Sequence, residues 1–413
     1  MGSDGKALEG LRAAPQMPRG ARDRLPLPEL VVAGSVGLAC LLAIWLRTSK
    51  LLPSNSWWSF PADHHVYLYM AQHPVGQFRV APWSWRLLEP WMVQASRLPA
   101  QVGFEVVTFA SLWLTGVALY AVCRRLNFSV RLSAYGVVLF FGLSYAVKFN
   151  VYDFWLTDPL AFLFTSLGVL AALDRRRLLF AACLAAGVLA KESVIFVAPL
   201  YFSLNVRTRA DKRLLVESAL LAVPAVLLLT AVRVFIPALN ADAAYVASLP
   251  RLVAADARSV PDYSLLHAFR TVMEYRTSHW TSTLAKAASA YGVLLPALLV
   301  FGGRKARQLA VRFSPFLLLV LAQLAFAYNT QRLVVFAFPV VVACALCGVE
   351  RLVTQGVPEW LLWVAPLGIV TLNAASATEI SPSAIWQLIL VAALTALGFW
   401  RVSVLRGPGS RQI

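Results

Sequence analysis

The chain has 413 residues, of which 59% are hydrophobic and only 14% charged, with a formal charge of +17. A soluble domain carries roughly 25% charged residues, so this composition excludes an ordinary water-soluble enzyme. With repeated apolar runs near bilayer-crossing length it reads as an all-α polytopic membrane protein. The basic excess does not indicate nucleic acid, because lysines and arginines fall at the ends of apolar runs, as orientation signals do, and not on a solvated phosphate-tracking face.

Residues 1–29 form a polar, modestly basic tail. The run that follows is too long and too late for an ordinary cleaved signal and lacks a small-residue cleavage site, so it is expected to be the first permanent span. About twelve spans are expected from the apolar runs, at 30–46, 105–123, 132–149, 159–173, 178–190, 194–206, 214–234, 287–303, 313–328, 333–349, 359–376 and 384–400. Residues 30–400 thus form one transmembrane domain, and 401–413 a short tail. The fifth and sixth spans are shorter than the ~17 residues usually needed. Tilting, a break around Lys191–Glu192, or a re-entrant hairpin shielded by protein would each accommodate them. The five cysteines lie within or at the ends of the spans, and Cys344-x-x-Cys347 sits in an apolar run, so all are read as small buried residues.

Placing the N-terminus in the cytoplasm puts Arg124–Arg125, Arg175–Arg177, Lys212–Arg213, Arg304–Lys305 and Arg401 on one side, as the positive-inside bias requires. Both termini are then cytoplasmic. Segments Asp63–Pro90, Asp153–Asp158, Lys191–Glu192, Tyr328–Arg332 and loop 235–286 share the outer face. Loops 49–104 and 235–286 exceed ordinary bundle connections, and the aromatics of the first suit amphipathic helices lying in the headgroup plane. No internal repeat is evident.

The ionisable residues of the outer face each have a functional and a bland reading. Asp63 is either a general base or cation contact or an N-cap. The adjacent His64 and His65 cannot both face one point on a helix, which disfavours a two-histidine metal site. Arg86 is suited to grip a phosphate with two parallel hydrogen bonds, or else pairs with Glu89 three residues on. Asp158 with Pro159 is a good helix opening, whereas Asp153, among Tyr152, Phe154 and Trp155, has no such explanation. Lys191 suits a lipid phosphate and Glu192 a cation or an arginine, or both lie in water at a turn. Arg332 is a phosphate ligand or a snorkelling interfacial arginine.

The order of these features resembles the GT-C class of integral-membrane glycosyltransferases, which includes the protein O-mannosyltransferases and the aminoarabinose transferases of lipid A. The matching elements are Asp63 and Tyr67 in the first outer loop, R-x-L-x-P at Arg86–Pro90, and Asp153 with T-D-P at Thr157–Pro159. G-x-x-A-K-E at Gly187–Glu192 and Arg332 ahead of Pro339 complete the set. The resemblance implies a GT-C-like bundle in a bacterial inner or plasma membrane, with the active site outside. It implies transfer of a sugar, with inversion, from a polyprenyl-phosphate donor to a glycan, lipid or protein acceptor among membrane lipids. By the same analogy Asp63 is the base and Arg86, Lys191 and Arg332 hold the donor phosphate. Asp153, Asp158, Glu192 and His64 place the acceptor or a cation, and a divalent cation is the one cofactor in question. His64 follows Asp63 where some of these families carry a second acid. The alternative class is a secondary transporter or lipid flippase, for which buried charges at Lys191–Glu192 would also serve. A non-enzymatic scaffold ranks last, since it needs no acids beside cations.

Overall fold

The computed structural model describes residues 25–54, 56–60, 62–206, 211–259, 264–292 and 294–375. The expected span 384–400, the tail 401–413 and most of the N-terminal tail lie outside the described residues. The described residues form α-helices and short 3-10 turns with no strand, as the composition requires.

Helix α1 (Leu27–Arg47) has a proline in its first turn, where the missing N–H costs nothing, and an arginine in its last, facing the negative end of the dipole. In the first outer segment come α2 (Asp63–Gln72) and α3 (Leu88–Ser96). Then follow α4 (Ala100–Arg125), α5 (Val130–Phe141), the short α6 (Lys148–Tyr152), α7 (Asp158–Leu173), α8 (Arg177–Ala190) and α9 (Leu200–Asn205). Helix α10 (Lys212–Phe235) leads to α11 (Ala243–Ser248), α12 (Arg251–Ser259), α13 (Leu265–Ser278) and α14 (Trp280–Ser289). The chain continues through α15 (Leu294–Phe301), α16 (Gly303–Arg312), α17 (Ser314–Ala322), α18 (Thr330–Val334), α19 (Phe338–Thr354) and α20 (Glu359–Ala375).

Among the described residues four helices are long and apolar enough to cross a bilayer: α1, α4, α10 and the run Thr330–Thr354. The number rises to six if the bent pairs α14–α15 and α16–α17 each count as one. Helices α5, α7, α8 and α20 are apolar but shorter. The expected span 132–149 ends early, at Phe141, and the chain turns before restarting at Lys148, whose charge and the neighbouring Asn150 interrupt the apolar run. The pair 178–190 and 194–206 is broken at Lys191, where the backbone becomes extended before a 3-10 turn at Glu192–Val197.

Helix α4 packs on α5 and α7, α7 on α8, and α8 on α10, while α19 packs on α15, α16 and α5. Leu119, Phe140, Phe162, Leu184, Phe338 and Leu346 belong to one buried core that joins these helices. The α15–α19 crossing depends on Gly348, where a Cβ would meet the Leu298 carbonyl oxygen at 2.1 Å. Such close approach through a small residue is how membrane helices gain contact without a hydrophobic drive between them. On α10 the outward residues are apolar, with Leu215, Val216, Leu220, Val226 and Leu227 all exposed. That surface suits hydrocarbon better than water.

A second core lies where the two long loops meet. Tyr67, Met70, Phe78, Val93, Trp155 and Val253 are among its buried members. Asn240 clasps the first loop by both backbone groups of Ala81, accepting from its N–H at 2.9 Å and donating to its oxygen at 3.0 Å. Tyr245 donates to the Gln77 carbonyl and accepts from the Arg79 N–H. Helix α2 is therefore buried beneath loop 235–286 rather than amphipathic at the headgroup plane: His64 through Tyr67, consecutive and so on several faces, are all buried.

Candidate active site

The α7–α8 hairpin closes on a charge. Lys191, at the C-terminal end of α8, donates to Asp158, which opens α7. Arg332 enters from α18 and bridges two carboxylates, donating from Nε to Asp158 Oδ2 at 2.7 Å and from Nη1 to Asp63 Oδ2 at 2.8 Å. Asp63 Oδ1 accepts from the Trp83 indole at 3.0 Å. A chain Trp83–Asp63–Arg332–Asp158–Lys191 thus ties together five separate stretches of sequence.

A second group stands beside it. Arg86 meets Glu192 through a fork, Nε to Oε2 at 3.0 Å and Nη2 to Oε1 at 2.7 Å, and donates from Nη1 to the Tyr67 hydroxyl at 3.0 Å. Aromatic faces complete the shell, with Lys191 4.8 Å from the Phe336 ring centre and Arg332 5.8 Å from that of Phe149. Removing such ions from water is repaid only when geometry and hydrogen bonding are near complete. Here each of the three cations faces at least one carboxylate, and Asp158 lies between two cations.

Several bland readings fail on this geometry. Asp63 does not cap α2: Ala62 holds the cap position and the Asp63 carboxylate turns to Arg332 and Trp83. Asp158 is not a cap either, since Thr157 precedes it at that position and the Asp158 side chain takes Lys191 and Arg332. Arg86 does not pair with Glu89, because Arg86 sits before α3 begins at Leu88, so helical i,i+3 spacing does not apply. Lys191 is buried and not in water, and Glu192 is half-buried against Arg86. Arg332 is an internal bridge, not a snorkelling side chain.

The remaining predicted residues lie beside the network rather than in it. Asp153 is buried with Oδ1 lacking a hydrogen-bond partner among the described residues. Burial pushes its carboxyl up to about 7 against the pull of Arg332, with the charges of Asp63 and Asp158 adding to the rise. His64 is stacked on Trp58 at 4.7 Å and makes no hydrogen bond to the charged chain; burial, and then the neighbouring His65, lower its pKa to about 4. Burial alone would raise Asp63, but the charges of Arg332 and Arg86 and hydrogen bonds from Arg332 and Trp83 hold it below the usual carboxylate range. Asp63 is therefore an anion and His64 a neutral ring near pH 7.

One acid was read in the sequence only as a possible helical partner of Arg86, and another was not singled out at all. Glu89 is wholly buried and neither carboxyl oxygen has a hydrogen-bond partner among the described residues. Burial, then the charge of Asp158, raises its pKa well above the ordinary value, so it stands as a neutral acid in the wall of the site. Its signal was available: an acid inside the apolar stretch LLEPWMV, on a helix too short of polar neighbours to hold an ion. Asp256 of α12, pushed up to about 7 by burial and by Asp63, comes from the distant loop and had no local signal.

Among the described residues no three His, Cys, Asp or Glu side chains come together as metal ligands. Cys344 and Cys347 are buried, donating to the Ala306 and Ala343 carbonyls, and take no part in the site. Chemically, the arrangement offers two partly accessible ionised carboxylates, Asp63 and Glu192, three cations in two adjoining groups, and acids with raised pKa values around them. Compared with known proteins, the chain matches no family model and no curated protein.

Proposed function

We propose that the chain is a membrane glycosyltransferase that moves a sugar from a polyprenyl-phosphate carrier to an acceptor hydroxyl on the outer face of a bacterial inner membrane. In this reading the described helices belong to a GT-C-like bundle of about twelve spans, with both termini in the cytoplasm. The observation that carries it is the Asp63–Arg332–Asp158–Lys191 chain, with Arg86 alongside. It gathers one candidate base and three candidate phosphate ligands, drawn from segments as far apart as 269 residues.

Asp63 accepts the acceptor hydroxyl proton as the new bond forms between that oxygen and the anomeric carbon. The bond from the anomeric carbon to the phosphate oxygen breaks, and its electron pair leaves on the lipid phosphate, where Arg86, Lys191 and Arg332 receive the charge. Asp158 and Glu192 hold those cations in place, a positioning part that replaces the acceptor or cation contact expected of them. Asp153 and His64 line the approach.

The test is transfer of radiolabelled sugar by the full chain in nanodiscs, from a panel of polyprenyl-phosphate sugars with and without divalent cation. Turnover should fall by about 10²–10⁴-fold in Asp63→Asn, the range of a lost general base. Full activity in a folded Asp63→Asn protein sinks the assignment. The break of the helix at Lys191, which sets a buried charge on discontinuous backbone, favours transport as the second reading. Counterflow of labelled substrate in proteoliposomes with no covalent product selects it.

A further inference from the structure

At one end of the α7–α8 hairpin lie Asp158 and Lys191. At the other, about 21 Å away along α8 at 1.5 Å per residue, lies the triplet Arg175–Arg177. A cleft of about 600 Å³ opens there, with Arg175, Arg176, Arg177, Leu178, Tyr201 and Leu214 among its lining residues. None of these residues belongs to the Asp63 network.

Among the described residues the charges of this cleft are not balanced. Arg175 stands in the left-handed region at φ 56°, the place after a helix where glycine is usual. Among the described residues its guanidinium donates to neutral oxygens, Nε to Asn205 Oδ1 at 2.6 Å and Nη2 to the Asn205 carbonyl at 3.2 Å. Arg176 is half-exposed and reaches Asp174 only at 3.6 Å, and that carboxylate is already taken by Arg125 at 2.6 Å. Arg177 forks onto Glu217 at 2.5 and 2.9 Å, while Tyr201 donates its hydroxyl to the same oxygen that accepts from Arg177 Nε. Among the described residues Arg125, Arg176 and Arg177 thus share the two carboxylates Asp174 and Glu217, and Arg175 pairs with neither. Beside them Leu178 is 88% exposed, an apolar side chain standing fully clear of the protein at the foot of a cationic cleft.

We propose that this cleft binds the headgroup phosphate of a net-anionic phospholipid in the leaflet opposite the Asp63 site. Arg176 supplies a planar fork that matches phosphate oxygens, and Arg175, held by Asn205 through Nε and Nη2, adds its Nη1 side. Glu217 with Tyr201 fixes Arg177 as one wall, and Leu178 and Leu214 lie along the first acyl carbons. One ligand with a negative head and an apolar tail accounts for both the surplus charge and the exposed leucine. A free phosphate accounts only for the charge.

Native mass spectrometry of the full chain, released from micelles doped with equal phosphatidylglycerol or phosphatidylcholine, tests this. Phosphatidylglycerol adducts should exceed phosphatidylcholine adducts about tenfold, the weight of one charge-assisted contact. They should fall about fivefold or more in Arg175→Gln and Arg176→Gln, and stay unchanged in Arg131→Gln, an exposed arginine elsewhere. If Arg175→Gln does not fold, the half-exposed Arg176 decides alone. Equal occupancy by the two lipids, or full phosphatidylglycerol binding in Arg176→Gln, overturns the proposal. Equal loss in Arg131→Gln means diffuse surface charge and overturns it too, as does displacement of the lipid by inorganic phosphate at equal concentration. None of these outcomes depends on sugar transfer.

Discussion

The two ends of the α7–α8 hairpin use the same chemistry under opposite conditions. Where Lys191 meets Asp158, both ions are buried and each has its counter-ion. Where Arg176 meets Asp174, the cation is half in solvent and stands 3.6 Å from an acid held more closely by Arg125. The lesson is that an ion pair's worth is set by what surrounds it. The buried chain holds five stretches of sequence in register because breaking it strands a charge, whereas the open end keeps charge to spare for something outside the protein.

The sharpest way to break this contrast is Asp158→Asn, which leaves Lys191 and Arg332 buried together without their shared carboxylate. It should cost about 3–5 kcal/mol, read as a lowered unfolding temperature in detergent. A milder probe is pH. The Asp153 carboxyl is pushed up to about 7 in the folded chain from its ordinary value of 3.8. Between those values the unfolded chain has lost a proton that the folded chain keeps, so stability falls as pH rises from about 4 to about 7 and then levels. Asp153→Asn should remove that part of the slope in unfolding temperature against pH.

Smaller still is Glu89→Gln. A neutral buried acid replaced by a neutral amide of the same shape should change stability by about 1 kcal/mol or less, and a loss near that of Asp158→Asn would show that Glu89 is ionised. At the bottom of the scale, Arg131→Gln removes a pair with Glu359 whose arginine is 79% exposed. It should shift unfolding by about 0–1 kcal/mol.

The class of fold was legible because apolar run length and the scarcity of charge are local properties of the chain. A break at Lys191 was one of three readings that two short runs flanking a pair of ions left open, and the backbone there does leave the helix. Partners were not. Lys191 and Glu192 are neighbours that cannot face each other, and the sequence carries that much. Their actual counter-ions, Asp158 and Arg86, lie 33 and 106 residues away. For Arg86 the bland alternative was a helical pair with Glu89 three residues on, yet the helix begins only at Leu88. Helix α2 was read as an interfacial helix because the loop that buries it enters the chain nearly two hundred residues on, a tertiary fact with no local trace.

The Arg332–Asp63 bond spans 269 residues, and that separation carries a consequence for biosynthesis. At the ribosome's pace of about 5–20 residues per second, Asp63 is made roughly 13–54 s before its arginine. During that interval the earlier helices can be inserted and the α7–α8 hairpin closed, but Asp63 has no Arg332 to hold it. A nascent chain arrested before residue 332 lacks both Arg332 and α19, whose Phe338 and Leu346 belong to the core joining the earlier helices. Completion of the charged centre therefore waits on nearly the last of the described helices.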